Sequence, residues 1–325
     1  MGVGGLLGRR TMLVGGLAMA AWAAVHAQAG KTLRLIVPFP PGGSPDILAR
    51  AIAAKLGPDL GRTVVIDNRP GAGGSLGAAE AARAEADGNT LLMGHVGTLA
   101  VAPALYPKLP YDPLKSFVPV ASVARVPNVL VVNAGSSFRT LAELIARARA
   151  QPGVMTYASG GNGSAAHITF EYLKLEAGFP ALHIPYRGTA PAVTDLLGGQ
   201  VDALFTGAPA VLPHVRSGRL RALAVSSPRR LPTLPDAPTV AESGHPGFDA
   251  DQWYGIVAPA GRPAALVASL NAAINNALQT PAVVQQLAAE GAIATPDSPK
   301  AFRELIEREI PRWAAVVKAG NVKPD

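Results

Sequence analysis

The stretch from Leu33 to Leu56 constrains the fold of this chain more than any other. Leu33 to Val37 is a short apolar run rich in β-branched side chains, which predicts a buried strand. Prolines and glycines at 38–43 end the strand and turn the chain. Ser-Pro-Asp at 44–46 then offers an N-cap, a first helical position and a first-turn acid, ahead of apolar residues at helical spacing.

The unit predicted from this stretch is a strand, a glycine turn and a helix whose free N–H groups point back over the turn. Several unpaired donors and the helix dipole converge at such an end, so it suits an anionic group. The same pattern also opens many α/β enzymes as an ordinary first βα unit. The turn alone does not decide between these two interpretations.

Composition narrows the choice of fold and chemistry. A chain of 325 residues is long enough for two domains, and its 5% of aromatic residues favours close-packed α/β layers over an aromatic-rich β-sandwich. Cysteine is absent, which excludes disulfides, thiolate zinc sites and a cysteine nucleophile. The formal charge of +7 comes from scattered basic residues, so we expect acidic small molecules rather than nucleic acid as partners.

Residues 1–29 have the pattern of an export signal. Arg9 and Arg10 precede an apolar stretch from Met12 to Val25, and Ala-Gln-Ala at 27–29 offers a cleavage site. The two arginines also resemble a twin-arginine signal. No other stretch has the length and hydropathy of a membrane helix. The predicted location of the processed protein is therefore the periplasm.

Two series of strands and helices follow one another along the chain. Three strand–loop–helix units up to residue 98 predict a parallel sheet with right-handed crossovers. Val118 to Val132 is a long extended segment that predicts a crossing into a second α/β series, and Trp253 to Pro259 predicts the return. The expected class is α/β with two lobes, one from 30–125 and 255–325, the other from 126–254. A cleft between the strand ends would follow.

Gly-Gly-Ser-Leu-Gly at 73–77 matches the nucleophile-elbow pattern G-x-S-x-G. That elbow needs a strand directly before the serine, whereas residues 68–72 have loop composition. A helix N-cap is therefore the favoured role for Ser75, and a nucleophile the remote alternative.

Gly-Asn-Gly-Ser-Ala-Ala at 161–166 fits the dinucleotide pattern G-x-G-x-x-A between a strand and a helix. The acidic residue expected about 20 positions later is missing. We therefore expect no NAD and no other cofactor, and instead an anion or amide held by the N–H groups of the loop.

The remaining polar residues indicate no metal site and no acid–base pair. The histidines have no ligand spacing, so His167 is interpreted either as a cleft residue or as a packed one. Asp195 and Asp202 are interpreted as solvated positions. Arg187 could clamp a carboxylate with two hydrogen bonds or lie on the surface, and Tyr186 at the strand end is expected to line the cleft.

With these motifs collected, the chain closely resembles the extracytoplasmic solute receptors of the tripartite tricarboxylate transporter family, also called Bug proteins. The resemblance covers essentially the whole predicted mature chain. It rests on the segments at 37–46, 68–74, 103–106, 109–113, 157–159, 161–164, 185–188 and 195–200, together with His167.

The resemblance implies a non-catalytic receptor that closes on a small carboxylate and passes it to membrane permease subunits, and we expect a monomer. It also implies that loops of both lobes grip the ligand through backbone N–H groups and waters. The expected binding residues are Phe39, Gly42, Gly43, Ser44, Asp46, Gly97 and Thr98 in the first lobe, and Ser159, Gly161, Asn162, Gly163, Ser164, His167, Tyr186, Arg187 and Thr206 in the second. The chain departs from the family at Ser44-Pro45, and at His95-Val96, where small hydroxyl residues are more usual.

Three functional hypotheses result. The first is a periplasmic carboxylate receptor that closes by hinge motion at the two crossings. The second, a remote one, is a secreted hydrolase that uses Ser75 or Ser164 with a histidine. The third is a ligand-binding sensor subunit for a membrane signalling partner, which would share the binding chemistry of the first.

Overall fold

The computed structural model describes residues 32–324, so the predicted signal peptide lies outside the described residues. The strands are, in chain order, β1 (Leu33–Val37), β2 (Val64–Asn68), β3 (Thr90–His95), β4 (Phe117–Val126), β5 (Asn128–Asn133), β6 (Thr156–Ser159), β7 (Leu182–Pro185), β8 (Ala203–Gly207), β9 (Leu220–Val225), β10 (Gln252–Pro259) and β11 (Ile293–Ala294). The helices are α1 (Ser44–Leu60), α2 (Ser75–Ala82), α3 (Ala102–Leu105), α4 (Leu141–Ala150), α5 (Ala165–Ala177), α6 (Thr189–Leu197), α7 (Ala208–Arg216), α8 (Ala264–Gln279), α9 (Pro281–Ala289) and α10 (Pro299–Ala319). A 3₁₀ turn at Ala72–Gly74 and a π turn at Gly97–Val101 complete the set.

The first lobe is built on a sheet with the strand order β11-β4-β10-β3-β1-β2. β1 pairs in parallel with both β2 and β3, and β10 runs antiparallel between β3 and β4. The carboxyl ends of β1 and β3 therefore meet at one edge, where the Pro-Gly turn after β1 and His95 lie. This edge faces the second lobe.

The second lobe is built on a sheet with the order β7-β6-β8-β5-β9. β6 pairs in parallel with β7 and β8, whereas β5 is antiparallel to β8 and β9. The carboxyl ends of β6, β7 and β8 lead into the Gly-rich loop at 160–163, the start of α6 and the start of α7. The predicted α/β class with two lobes is confirmed.

The predicted extended segment at 118–132 is two strands in different sheets, because Pro127 separates β4 from β5 and cannot donate a ladder hydrogen bond. The chain returns near Asp251, and β10 then belongs to the first sheet. Helix α10 packs on both lobes. In the first lobe, its Phe302 lies against Gly255 of β10, where a β-carbon would be 2.1 Å from Phe302 Cζ. The Trp313 ring meets Tyr172 of α5 edge-on, with their centroids 6.1 Å apart.

Two predicted N-caps are wrong by one residue. Gly43, not Ser44, is the N-cap of α1, and Gly74, not Ser75, is the N-cap of α2, and neither cap makes a side-chain hydrogen bond. The Ser75 hydroxyl is buried and has no hydrogen-bond partner among the described residues. The cap of α1 is instead closed by Asp46, whose Oδ2 accepts from the Gly42 N–H at 3.1 Å.

Within residues 32–324, no helix combines the length and the apolar character needed to cross a bilayer.

Candidate ligand-binding site

A small space lies between the two lobes, and we call it the inner cavity. Its volume is about 30 Å³, enough for one or two waters or a single small polar group. The first lobe contributes Phe39, Ser44, Pro45 and His95, the second Gly160, Ser164, Ala165, Ala166, Thr189 and Thr206, and strand β10 contributes Gln252 and Tyr254.

Three helices begin at the inner cavity, and their first N–H groups are unpaired. The backbone N–H groups of Ser44 in α1, of Ala165 and Ala166 in α5, and of Thr189 in α6 donate to no acceptor among residues 32–324. Unpaired first-turn donors and the positive ends of helix dipoles together favour an anion. The donors come from both lobes, so an anion in this space would be held from two sides.

The inner cavity carries no formal charge of its own. None of its described lining residues is an aspartate, glutamate, lysine or arginine, and the lining residues with hydroxyls are Ser44, Ser164, Thr189, Thr206 and Tyr254. Burial lowers the pKa of the one titratable base, His95, to about 4, so that ring is neutral at pH 7. An anion would therefore bind here through neutral hydrogen-bond donors alone.

A wider space, the outer groove, opens next to the inner cavity and shares Phe39 and Gly160 with it. Its volume is about 620 Å³, and the loops at 70–74 and 185–188 form its walls. Arg187 is exposed in this groove and has no ion pair among the described residues. The Tyr186 hydroxyl donates to Asp195 Oδ2 at 2.7 Å, so Asp195 is not the solvated residue predicted from the sequence.

Glycines allow the two lobes to touch. A β-carbon at Gly207 would lie 2.5 Å from Ser44 Oγ, and one at Gly163 would lie 2.2 Å from Leu105 Cδ2. Gly188 approaches Pro40 in the same way, with 2.8 Å from its would-be β-carbon to Pro40 Cγ. A β-carbon at any of these positions would force the facing side chain to shift, so this close contact of the lobes depends on glycine.

The Gly-rich loop of the second lobe rests on a buried polar layer. His183 Nε2 and Ser159 Oγ lie 2.6 Å apart, and the Gly161 N–H donates to Ser159 Oγ at 3.1 Å. His167 Nδ1 accepts from the Gly163 N–H at 3.1 Å, and the two imidazole rings stack with their centroids 3.7 Å apart. His167 therefore lies behind the loop and does not line the cavity as expected.

Burial keeps both of these histidines uncharged. It is the main cause that lowers the pKa of His167 to about 3 and that of His183 to about 4, and the nearby Lys174 ammonium adds to both shifts. Lys174 Nζ itself pairs with Glu171 Oε1 at 2.7 Å. A neutral layer can accept the loop N–H groups, which a doubly protonated imidazole could not do.

The first-lobe turn at 38–43 is also held by polar contacts, which centre on the buried Asp46. The Asp46 carboxylate accepts from the Gly42 N–H, from Arg50 Nε at 3.0 Å and from Asn68 Nδ2 at 3.1 Å. Burial opposes these contacts, but hydrogen bonds from Arg50, Gly42 and Asn68 outweigh it and leave the pKa of Asp46 below its usual range. Asp46 thus fixes the turn and contributes no cavity wall, in contrast to the prediction.

His95 is locked at the end of β3 by Thr98. The Thr98 N–H donates to His95 Nδ1 at 3.1 Å, and Thr98 Oγ1 lies 3.2 Å from both the N and the O of His95. The imidazole lies over Gly97, where a β-carbon would be 2.3 Å from the ring. Gly97 and Thr98 therefore position His95, and neither is among the residues that line the inner cavity or the outer groove.

The floor of the inner cavity connects to the crossings. The Tyr254 hydroxyl donates to Gln252 Oε1, and Gln252 Nε2 donates to Asn128 Oδ1. Asn128 Nδ2 in turn donates to the Ala250 carbonyl at 2.7 Å. A chain of buried hydrogen bonds thus links the cavity to both crossings between the lobes.

Residues 48–322 match the sequence profile of the tripartite tricarboxylate transporter family receptor. The chain belongs to this family. It is 46% identical over 297 residues to Protein BugT of Bordetella pertussis, and the match covers 90% of each chain. The confirmed two-lobed fold is that of the solved periplasmic binding protein BugD, which is 35% identical with a TM-score of 0.85 over 90% of this chain and 98% of that one.

Two solved relatives carry small dicarboxylates. The R. palustris protein Rpa4515, solved with adipate, is 37% identical with a TM-score of 0.87, over 91% of this chain and 99% of that one. MatC from Rhodopseudomonas palustris, solved with bound malate, is 36% identical with a TM-score of 0.84, over 88% of this chain and 99% of that one. The tricarboxylate-transporter receptors are thus solute-binding proteins, some of which hold carboxylates.

The structure brings together part of the predicted set. Phe39, Ser44, Ser164 and Thr206 line the inner cavity, and Phe39, Gly161, Tyr186 and Arg187 line the outer groove. Gly43 lies beside them, because a β-carbon there would be 4.0 Å from Thr189 Oγ1. The other predicted residues support the loops from behind, lie on the surface or fill the contact between lobes: Gly42, Asp46, Gly97, Thr98, Ser159, Asn162, Gly163 and His167.

The predicted set leaves His95 open and lacks seven other residues of the inner-cavity lining: Pro45, Gly160, Ala165, Ala166, Thr189, Gln252 and Tyr254. Thr189 follows Gly188 at the start of a predicted helix, which was a usable signal. Gln252 and Tyr254 alternate along β10 and so point to one side, but nothing in the sequence shows which side faces the cavity. Gly160 belongs to the predicted loop, and the role of His95 was not decided.

Proposed function

We propose that this chain is a periplasmic receptor that captures a small carboxylate with its head group in the inner cavity and its body in the outer groove. The observation that carries this proposal is the convergence of four unpaired N–H groups, from three helix starts and both lobes, on one uncharged space. The carboxylates bound by the two R. palustris relatives support the same ligand class.

Magnitudes show which contacts must supply the affinity. A helix N-terminus contributes about 0.3–1 kcal/mol to anion binding, or up to ~2 kcal/mol when it is partly buried. A micromolar ligand needs about −8 kcal/mol. Hydrogen bonds in a water-free space and contacts of the ligand body with Phe39 and the groove walls must therefore supply the larger part.

The lobes of the proposed receptor are residues 30–125 with 255–325, and residues 126–254. Hinge motion at the two crossings would open the inner cavity, and closure would bring Gly207 and Gly163 against the first lobe. The proposal also includes export through the signal at 1–29, by the twin-arginine or the general route. The exported protein would then deliver its ligand, as a monomer, to a tripartite tricarboxylate-type permease.

The serines of the hydrolase alternative lack a base within reach. The Ser75 hydroxyl has no partner among the described residues, and Ser164 Oγ accepts from the backbone N–H of His167 rather than meeting its ring. Ser159 does meet His183, but its side chain is fully buried under the loop. These contacts favour binding without chemistry.

Isothermal titration calorimetry of the purified chain tests the proposal. The protein is first unfolded and refolded to remove bound solutes, and its fold is checked by circular dichroism. C3 to C6 mono- and dicarboxylates are titrated beside the matching primary amides, which lack the negative charge. We expect at least one acid to bind in the micromolar range and its amide to bind at least 100-fold more weakly. If none of the acids binds the folded protein, the proposal is wrong.

The sensor alternative predicts the same titration. Pull-down with solubilised membranes, in the presence and absence of the acid that binds, separates the two. Recovery of a multi-span permease would support delivery to a transporter, and recovery of a membrane kinase would support the sensor.

A further inference from the structure

The hydrogen-bonding state of His95, which lines the inner cavity, is fixed by its neighbours. Its Nδ1 accepts the Thr98 N–H at 3.1 Å, so the neutral ring must carry its proton on Nε2. Phe39 packs on one side of the ring with centroids 4.5 Å apart, and Tyr254 meets it edge-on at 5.7 Å. The ring can therefore neither turn over nor move away without losing these contacts.

The Nε2–H group has no acceptor among the described residues, although the side chain is only 2% exposed and lines the inner cavity. A donor on a cavity-lining residue that has no protein acceptor is available to a ligand, an ion or a water. This donor is independent of the helix starts, since it comes from the end of β3.

The number of donors exceeds what one carboxylate can accept. A carboxylate offers about four lone-pair directions, and the N–H groups of Ser44, Ala165, Ala166 and Thr189 already match that number. The His95 N–H is then left for a different oxygen. Because the cavity measures about 30 Å³, that oxygen must lie within a bond or two of the carboxylate.

We propose that His95 Nε2–H binds an oxygen on the carbon next to the ligand carboxylate, so that the receptor selects 2-hydroxy or 2-oxo acids over plain acids of the same length. This proposal rests on the proposed function, because it names the chemical class of the carboxylate. A site built to donate to such an oxygen disfavours the analogue that lacks it, since the buried donor is then left unpaired.

Paired ligands and paired variants test this. L-malate and D-malate are compared with succinate, and 2-oxoglutarate with glutarate, by calorimetry on the refolded full chain. His95→Asn keeps an oxygen that can accept from Thr98 but is too short to donate into the cavity, whereas His95→Gln restores a donor near the position of Nε2. Within each pair, the two acids are compared by the ratio of their dissociation constants on the same variant. The volume change at His95 affects both acids of a pair, so most of its effect drops out of this ratio.

We expect one hydroxy or oxo acid to bind the unmodified chain about 10-fold or more tightly than its plain partner. The ratio should fall towards one in H95N and recover in part in H95Q. Equal affinities within every pair, or a ratio that survives in H95N, would overturn the role of His95 while leaving the carboxylate receptor intact. Absence of any binding to the folded chain would instead overturn the receptor itself.

A measurement on the unmodified chain does not depend on how the variants fold. In ¹⁵N-labelled protein, the His95 ring should show a proton on Nε2 and none on Nδ1 at pH 7. The Nε2 proton should shift on addition of the preferred acid and stay in place with its plain partner. A proton on Nδ1, or the same shift with both acids, would contradict the assignment.

Discussion

Gln252 donates its side-chain amide to Asn128 Oδ1, and the two residues open strands β10 and β5, each directly after a crossing between the lobes. Asn128 also donates to Thr169 Oγ1 at 3.0 Å and to the Ala250 carbonyl at 2.7 Å, so its whole amide is satisfied although the residue is fully buried. The two crossings are therefore tied to each other and to helix α5 by one side chain.

Asn128→Ala tests this junction. The substitution leaves buried donors and acceptors on Gln252 and Ala250 unpaired, at about 1–3 kcal/mol for each group that finds no water. We expect the free energy of unfolding to fall by about 2–4 kcal/mol in urea denaturation. Thr169→Val, which removes one of the bonds and keeps the shape, should cost only about 1 kcal/mol. Equal losses in both variants would show that Asn128 is not the central contact.

Gly207→Ala tests closure of the lobes. Its backbone angles, φ −54° and ψ 137°, suit alanine, but the new methyl would lie 2.5 Å from Ser44 Oγ and 3.1 Å from Gln252 Nε2. We expect at least a 10-fold loss of carboxylate affinity with little change in stability, because the open form has room for the methyl group. Gly198→Ala, where the nearest atoms are at 3.6 Å, is the control and should bind normally. Unchanged affinity in G207A would argue against contact of the lobes at this point.

Binding should depend only weakly on salt. The described lining of the inner cavity holds neutral donors and no charged side chain, and buried interactions are screened little. Between 50 and 500 mM salt we expect the dissociation constant of the tightest acid to change by less than about 3-fold. Arg187→Ala should remove most of the remaining dependence, since that arginine is the exposed cation of the outer groove. A 10-fold or larger weakening in salt would indicate an ion pair with the ligand.

Acid should destabilise the fold through its buried histidines. The pKa of His95 is about 4 in the folded chain, below the ordinary value of about 6.5, so the unfolded chain binds the proton first as the pH falls. Between pH 7 and pH 5 this one residue should remove about 2 kcal/mol of unfolding free energy. H95Q should lose correspondingly less over the same interval. An identical pH profile for both proteins would contradict the buried, neutral state of His95.

Protonation of Asp251 stabilises the fold as the pH falls, whereas protonation of His95 destabilises it. Burial raises its pKa to about 6, so between roughly pH 4 and pH 6 the folded chain binds the proton more strongly and gains stability as the pH falls. Asp251→Asn should therefore show a steeper acid loss than the unmodified chain. Urea denaturation at closely spaced pH values gives both profiles in one series.

The elements of the fold could be predicted because strands, glycine turns and capped helices leave local patterns. The strand predicted at Leu33 to Val37 appears with these bounds as β1. The division of the site was harder, because a loop sequence does not show which side chains face the ligand and which face the layer behind. Asp46 and His167 are among the predicted binding residues but line neither the inner cavity nor the outer groove, whereas Gln252 and Tyr254 reach the cavity from a strand far along the chain.

The uncharged lining of the inner cavity also bears on unloading. An anionic ligand that is paired with a fixed lysine or arginine must break that ion pair before it dissociates, and the cationic side chain must then be hydrated. In the proposed site, the backbone N–H groups that would hold the solute lie on opposite walls, so separation of the lobes would by itself break these hydrogen bonds. Opening of the cleft and release of the ligand would then be one event, which suits a receptor that passes its ligand to a transporter.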